Sequence, residues 1–258
     1  MTDLLQLEKT GNTAVITFNN PPAHTWTVES LSALTTMVEQ LNQDKDIYAL
    51  VVTGGGEKFF SAGADLNLFA GGDKETATLM SNLFGQAFEA LSSFRGVSIA
   101  AINGWSMGGG LEVALACDLR IAEEHANMAL PEASVGLLPC AGGTQNLHIL
   151  VGEGWTKRMI LCGERVDAAT ALRIGLVEEV VAKGAAKDAA IALAGKVARQ
   201  SPVAVAACKE LIQMNRFMPI SKALPIERAA FVDLFDSKDQ SEGVNAFLEK
   251  RKPLWLNE

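Results

Sequence analysis

A-I-N-G-W-S-M-G-G-G-L-E, from Ala101 to Glu112, follows directly on the largely apolar stretch Val97 to Ala100, and its reading decides the fold. Val97 to Ile102 predicts a buried strand, Asn103 to Gly108 a turn, and Gly109 to Cys117 a helix carrying Glu112 in its first turn. Without side chains on the glycines, a ligand can approach the main chain. The unpaired N–H groups of the helix start and the helix dipole then favour negative charge there. A second carboxylate, Glu132, stands behind a proline in L-P-E-A-S-V-G-L-L-P, Leu130 to Pro139.

Working outward, the chain alternates strand and helix. Leu4 to Leu7, Ala14 to Phe18 and Ala49 to Thr53 predict strands. Val28, Leu31, Leu34, Val38 and Leu41 recur at three- and four-residue steps, which predicts a helix from about Val28 to Leu41 with Thr27 as its N-cap and Ser30 beside it. Phe59 and Phe60 lead into a second small-residue turn, S-A-G-A-D-L, and then a long helical pattern through Leu79, Leu83, Phe84, Phe88 and Leu91. Beyond Glu132, G-G-T-Q opens one helix, V-G-E-G-W-T-K another and D-A-A-T-A-L-R-I a third, before a strand at Val177 to Val181. From Ala185 almost everything reads helical, with Ser201-Pro202 as N-cap and first helical residue. The reading is an α/β core over residues 1–195 and a helical oligomerisation region over 196–258.

Composition limits the function classes. With 258 residues, 48% of them hydrophobic, the chain can bury a sizeable core. A net charge of −8 provides no basic footprint for nucleic acid. The start M-T-D-L-L-Q-L-E has neither the basic nor the apolar part of a leader, and no run is long enough to span a membrane, so the expected location is the cytoplasm. Cys117, Cys140, Cys162 and Cys208 form no C-x-x-C pair, and the histidines lack metal-ligand spacing; no metal site is expected.

Single motifs mislead here. G-W-S-M-G at Gly104 to Gly108 matches a nucleophile elbow, but a serine hydrolase of that kind needs a later histidine, and none follows His148. Neither a P-loop nor a G-x-G-x-x-G pattern occurs. Asp65 alone reads as a helix cap and Glu112 alone as a first-turn carboxylate. Two small-residue turns that can each present an N–H, followed by two glutamates, read together as an oxyanion hole with an acid/base pair.

F-S-A-G-A-D-L (Phe60 to Leu66), N-G-W-S-M-G-G-G-L-E (Asn103 to Glu112), A-C-D-L-R-I-A (Ala116 to Ala122), L-P-E with V-G-L-L-P, and A-G-G-T-Q ending at Gln145 carry a resemblance. Together they resemble the enoyl-CoA hydratase/isomerase family, the crotonase superfamily, over nearly the whole chain. That resemblance implies a spiral of ββα units with a helical C-terminal trimerisation region, assembled as a homotrimer or a homohexamer of two stacked trimers. It implies an acyl-CoA thioester substrate, with coenzyme A as part of the substrate and no separate cofactor. The backbone N–H groups of Ala64 and Gly109 would form the oxyanion hole, and Glu112 and Glu132 the catalytic pair. Ala23, His24, Ala62, Ala64, Asp65, Leu66, Asn67, Gly108, Gly109 and Cys140 would bind substrate. The implied activity is reversible addition of water to a trans-2-enoyl-CoA. The alternatives within reach are a double-bond isomerase or another acyl-CoA lyase of the superfamily, and a non-catalytic acyl-CoA binder. Two positions depart from the usual pattern: Cys140 stands where glycine is common, and Asn146 where arginine often follows G-G-T-Q.

Overall fold

The computed structural model describes residues 3–258; Met1 and Thr2, at the start of the stretch read for a leader, lie outside the described residues. Strands β1 (Leu5–Thr10) and β2 (Thr13–Phe18) form an antiparallel hairpin, followed by helix α1 (Val28–Gln43). Thr27 and Ser30 make a reciprocal capping box at the start of α1. Then come β3 (Ala49–Gly54), β4 (Phe59–Ser61) and α2 (Lys74–Ser92); β5 (Val97–Ile102), β6 (Trp105–Met107) and α3 (Gly109–Ala116); and β7 (Leu119–Glu123), β8 (Asn127–Ala129) and α4 (Gly143–Leu161).

From β3 onward, each turn places its first strand in one sheet, its second in another, and returns by a helix. The large sheet has the order β1-β2-β3-β5-β7-β10 and the small one β4-β6-β8-β9, where β9 is Val166–Asp167 and β10 is Glu179–Val181, with α5 (Ala168–Ile174) between them. Pairings between successive turns are parallel. The first turn keeps both β1 and β2 in the large sheet and adds, outside the named strands, an isolated bridge, Trp26 to Ala64. This is the expected α/β spiral of ββα units.

The central strands β2, β3 and β5 are largely apolar because both faces of the large sheet are covered there, whereas the edge strand β1 carries Gln6, Glu8 and Lys9. Every residue of β3 is buried. One face packs with α1, α2 and α3 into a core containing Trp26, Leu34, Leu50, Phe60, Phe84 and Phe88, where Trp26 sits edge-on against Phe18 and Phe88. Helix α6 (Ala186–Val197) lays Ala186, Ala190 and Ala194 on the other face, against Val51, Ile99 and Ile121. Beyond Val197, helices α7 (Pro202–Met214), α8 (Ile220–Asp233) and α9 (Lys238–Leu248) carry few buried residues. Polar ties hold them to the core: Lys209 donates to the carbonyls of Phe94 and Gly96 and pairs with Asp118, and Asn257 donates to the carbonyl of Lys45.

One expectation is corrected. Asn103 to Gly108 is not a bare turn, because β6 lies inside it, paired with β4 and β8. The two helical patterns after G-G-T-Q and V-G-E-G-W, which share the single label α4, are separate helices as read, interrupted at Gly152, whose φ 74° and ψ 171° are non-helical.

Candidate active site

The third turn of the spiral builds the site. Asn103 leaves β5 and donates to the carbonyls of Gly54 and Gly56 while accepting from Gly54 N–H, which locks the end of β3 to the end of β5. After β6, Gly108 adopts φ 53° and ψ −126°, a conformation closed to residues with a Cβ. At Gly110 a Cβ would lie 2.1 Å from the carbonyl oxygen of Ser61, so only glycine lets α3 start against the Ser61 to Ala64 turn. These two glycines set the N-terminus of α3 beside that turn.

Two N–H groups are left without an acceptor there. Among the described residues, neither Ala64 N nor Gly109 N donates a backbone or side-chain hydrogen bond. Gly108 N–H, by contrast, is consumed by the carbonyl of Ala129. Ala64 and Gly109 both line a cavity of about 930 Å³ whose walls also include Glu112, Glu132 and Cys140.

The carboxylates are held differently. Glu112 is buried, 2% exposed, and its Oε1 accepts from the N–H groups of Ala141 and Gly143, each at 2.8 Å. Burial raises its pKa, and the N–H groups of Gly143, Ala141 and Cys140 pull the other way. Glu132 begins a short 3₁₀ turn, Glu132–Val135, and neither of its buried oxygens has a partner. Burial first, and then the charge of Glu112, raise its pKa to about 7. One carboxylate is thus fixed by two donors; the other faces the cavity uncommitted. That difference is what an acid/base pair requires.

The family model described as enoyl-CoA hydratase/isomerase matches residues 8–258. The chain belongs to the enoyl-CoA hydratase/isomerase family. It is 38% identical to the short-chain-enoyl-CoA hydratase of Clostridium acetobutylicum over 95% of both chains. It is 37% identical to the 2,3-dehydroadipyl-CoA hydratase of Escherichia coli over 93% of both. Among solved structures, that of Pseudomonas aeruginosa DspI is 68% identical with a TM-score of 0.96, covering 98% of this chain and 97% of that one. An enoyl-CoA hydratase from Bacillus anthracis is 35% identical with a TM-score of 0.95, covering 99% and 100%.

Against this family background, the cavity gathers most of the residues singled out in the sequence. Ala62, Ala64, Asp65, Leu66, Gly108, Gly109, Glu112, Glu132 and Cys140 line it. Ala23, His24 and Asn67 do not. The carbonyl of Ala23 accepts from Ala62 N–H. His24 is buried, its Nδ1 accepting from Asn20 N–H and its Nε2 lying 2.7 Å from the carbonyl of Gly55. Asn67 folds its amide back onto the Asp65 carboxylate, which also caps the short helix that follows. Ser106 is buried in β6 and donates to the carbonyl of Gly110. Of the apolar residues near the motifs, Phe84, Met107 and Leu137 border the cavity, whereas Phe88 and Met128 are core. The clamp of Ala141 and Gly143 on Glu112 was not anticipated; its signal was the A-G-G run, which leaves N–H groups bare at the start of α4. Among the described residues no cluster of His, Cys, Asp and Glu suits a metal ion, and no helix is long and apolar enough to cross a membrane.

Proposed function

We propose that this protein is a hydro-lyase that reversibly adds water to a trans-2-enoyl-CoA, giving the 3-hydroxyacyl-CoA. The observation that carries the reading is the uncommitted Glu132 carboxyl beside the clamped Glu112 in one cavity. Hydratase names among the relatives support it.

The thioester carbonyl oxygen sits between the N–H groups of Ala64 and Gly109. As charge develops on that oxygen, each donor stabilises it by about 3 to 4 kcal/mol. Ionised Glu112, its Oε1 held by two donors, takes a proton from a water molecule while the water oxygen bonds to C3. The electron pair of the C2–C3 double bond moves toward the carbonyl, forming the enolate. Glu132, protonated up to about pH 7, gives its proton to C2 and the enolate collapses to the thioester. One water has then been added, and the pair is reset by passing the proton from Glu112 back to Glu132. No separate cofactor takes part, since coenzyme A belongs to the substrate.

A dedicated isomerase needs one carboxylate to shuttle one proton, so the pair favours hydration. A non-catalytic acyl-CoA binder would gain nothing from desolvating two carboxylates. The assembly proposed is a homotrimer or stacked hexamer through residues 196–258, supported by the exposed Phe217, Ile220, Phe231, Phe235 and Phe247. The acidic balance of the chain goes with no nucleic-acid partner. Hydration is tested by loss of the conjugated absorbance of crotonyl-CoA. Substituting Glu112 or Glu132 by Gln lowers kcat by about 10²- to 10⁴-fold, the usual worth of a general acid or base, with little change in thioester binding.

A further inference from the structure

Two cavities lie end to end along one stripe of α2. The large one is bounded there by Lys74, Ala77, Thr78, Ser81 and Phe84; a second, of about 220 Å³, is bounded by Gly85, Phe88, Glu89 and Ser92. Three- and four-residue steps keep such positions on neighbouring faces of a helix. Phe84 and Phe88 meet edge to face at 5.6 Å, so an aromatic floor passes from the first cavity to the second. The opposite wall changes over at a single position. Among the described residues, Cys140 alone borders both cavities; beyond it the second is lined by Ala116, Ala141, Gly142 and Asn146.

We propose that the Cys140 side chain is the partition between the two cavities and determines how long an acyl group the site accepts. The inference rests on the acyl-CoA reading above. The wall that carries Cys140 is fixed in place, because the adjoining N–H groups of Ala141 and Gly143 hold Glu112 and swinging the segment would release that carboxylate. Cys140 is exposed, yet the wall is uncharged: partial desolvation, and then the charges of Glu112 and Glu132, push the thiol up to about 11. A neutral thiol tolerates a hydrocarbon chain against it yet fills the space through which that chain would continue. With glycine at this position, the two cavities join along the Phe84 and Phe88 floor.

The test measures binding of saturated acyl-CoA thioesters of increasing length by calorimetry, for the wild type, Cys140→Gly, Gly85→Leu and the Cys140→Gly/Gly85→Leu double variant. Each methylene buried against apolar surface tightens binding about fourfold, and by less where Glu89, Ser92 and Asn146 line the second cavity. In the wild type that gain stops once the large cavity is filled; in Cys140→Gly it continues over further methylenes. A Cβ at residue 85 would meet only Glu89 Oε1, at 3.6 Å, and residue 85 lines the second cavity, so leucine there is the variant expected to refill it. The double variant therefore returns to the wild-type length limit, and Gly85→Leu alone leaves that limit unmoved. Cys140→Leu, which thickens the wall, shortens it. The proposal is overturned if the limit moves with none of the Cys140 substitutions, or if Gly85→Leu leaves the extended range of Cys140→Gly intact. Hydration of matching 2-enoyl-CoA thioesters is followed in parallel. A shifted binding limit with no hydration by any variant rejects the hydratase reading and keeps the partition; hydration with an unmoved limit does the reverse.

Discussion

At the scale of single residues, two glutamates of the same chemistry are driven to different states by their surroundings. Glu112 receives two main-chain donors and Glu132 receives none, so the second is the one that keeps its proton near neutral pH. The hydration rate is therefore expected to fall as pH rises through about 7, where Glu132 loses the proton that C2 needs; a pH profile of kcat reads this. Stability carries the same signature. The carboxyl of Glu132 ionises at about 7 in the folded chain against 4.5 as a free group, so its favourable contribution is complete below about 4.5 and lost as pH rises through about 7. Glu132→Gln cannot ionise. Its melting temperature relative to the wild type should rise between pH 4.5 and 7 and level off above, and a difference that stays flat over that window contradicts the burial argument.

At the scale of elements, the start of α3 against the Ser61 to Ala64 turn is the joint on which the site depends. Gly110→Ala drives a Cβ toward the Ser61 carbonyl at 2.1 Å and must push α3 away from the turn. A cost of about 1 to 3 kcal/mol in denaturant unfolding is expected, together with a fall in kcat as the Ala64 and Gly109 donors separate. Thr27→Ala, which removes the cap of α1 at a residue that does not line the cavity, should cost about 1 kcal/mol and leave kcat near the wild type. Elements of this size were legible where they carried enough residues for a period to show. The strand Val97–Ile102 matches its apolar run to the residue, and Thr27 and Ser30 announced the start of α1. The three residues of β6 were not legible, because a strand that short shows no alternation and exists only through its neighbours β4 and β8. His24 shows the same limit at the site: nothing local says that its ring is spent on Asn20 and Gly55, thirty-one residues away in the second case.

At the scale of the whole molecule, the repeated ββα turn stacks small-residue corners above one another, which is how residues as distant as Ala64, Gly109, Glu132 and Cys140 come to share one cavity. The C-terminal helices are held to this core by polar ties and leave Phe231 and Phe235 exposed, packed on each other at 5.5 Å. Light scattering should give a particle of three or six 27.4 kDa chains, and Phe231→Asp should shift it toward smaller species; a monomer in the wild type contradicts the assembly. The central claim is that the spiral presents two carboxylates and two N–H donors to one acyl-CoA thioester for the addition of water. It is tested most directly by crotonyl-CoA hydration in the wild type beside the Glu112→Gln/Glu132→Gln double variant, with thioester binding measured on the same preparations. The account predicts hydration by the wild type, its loss in the double variant and binding retained in both. A double variant that hydrates at a rate near the wild type, or a wild type that binds the thioester without hydrating it, would contradict it.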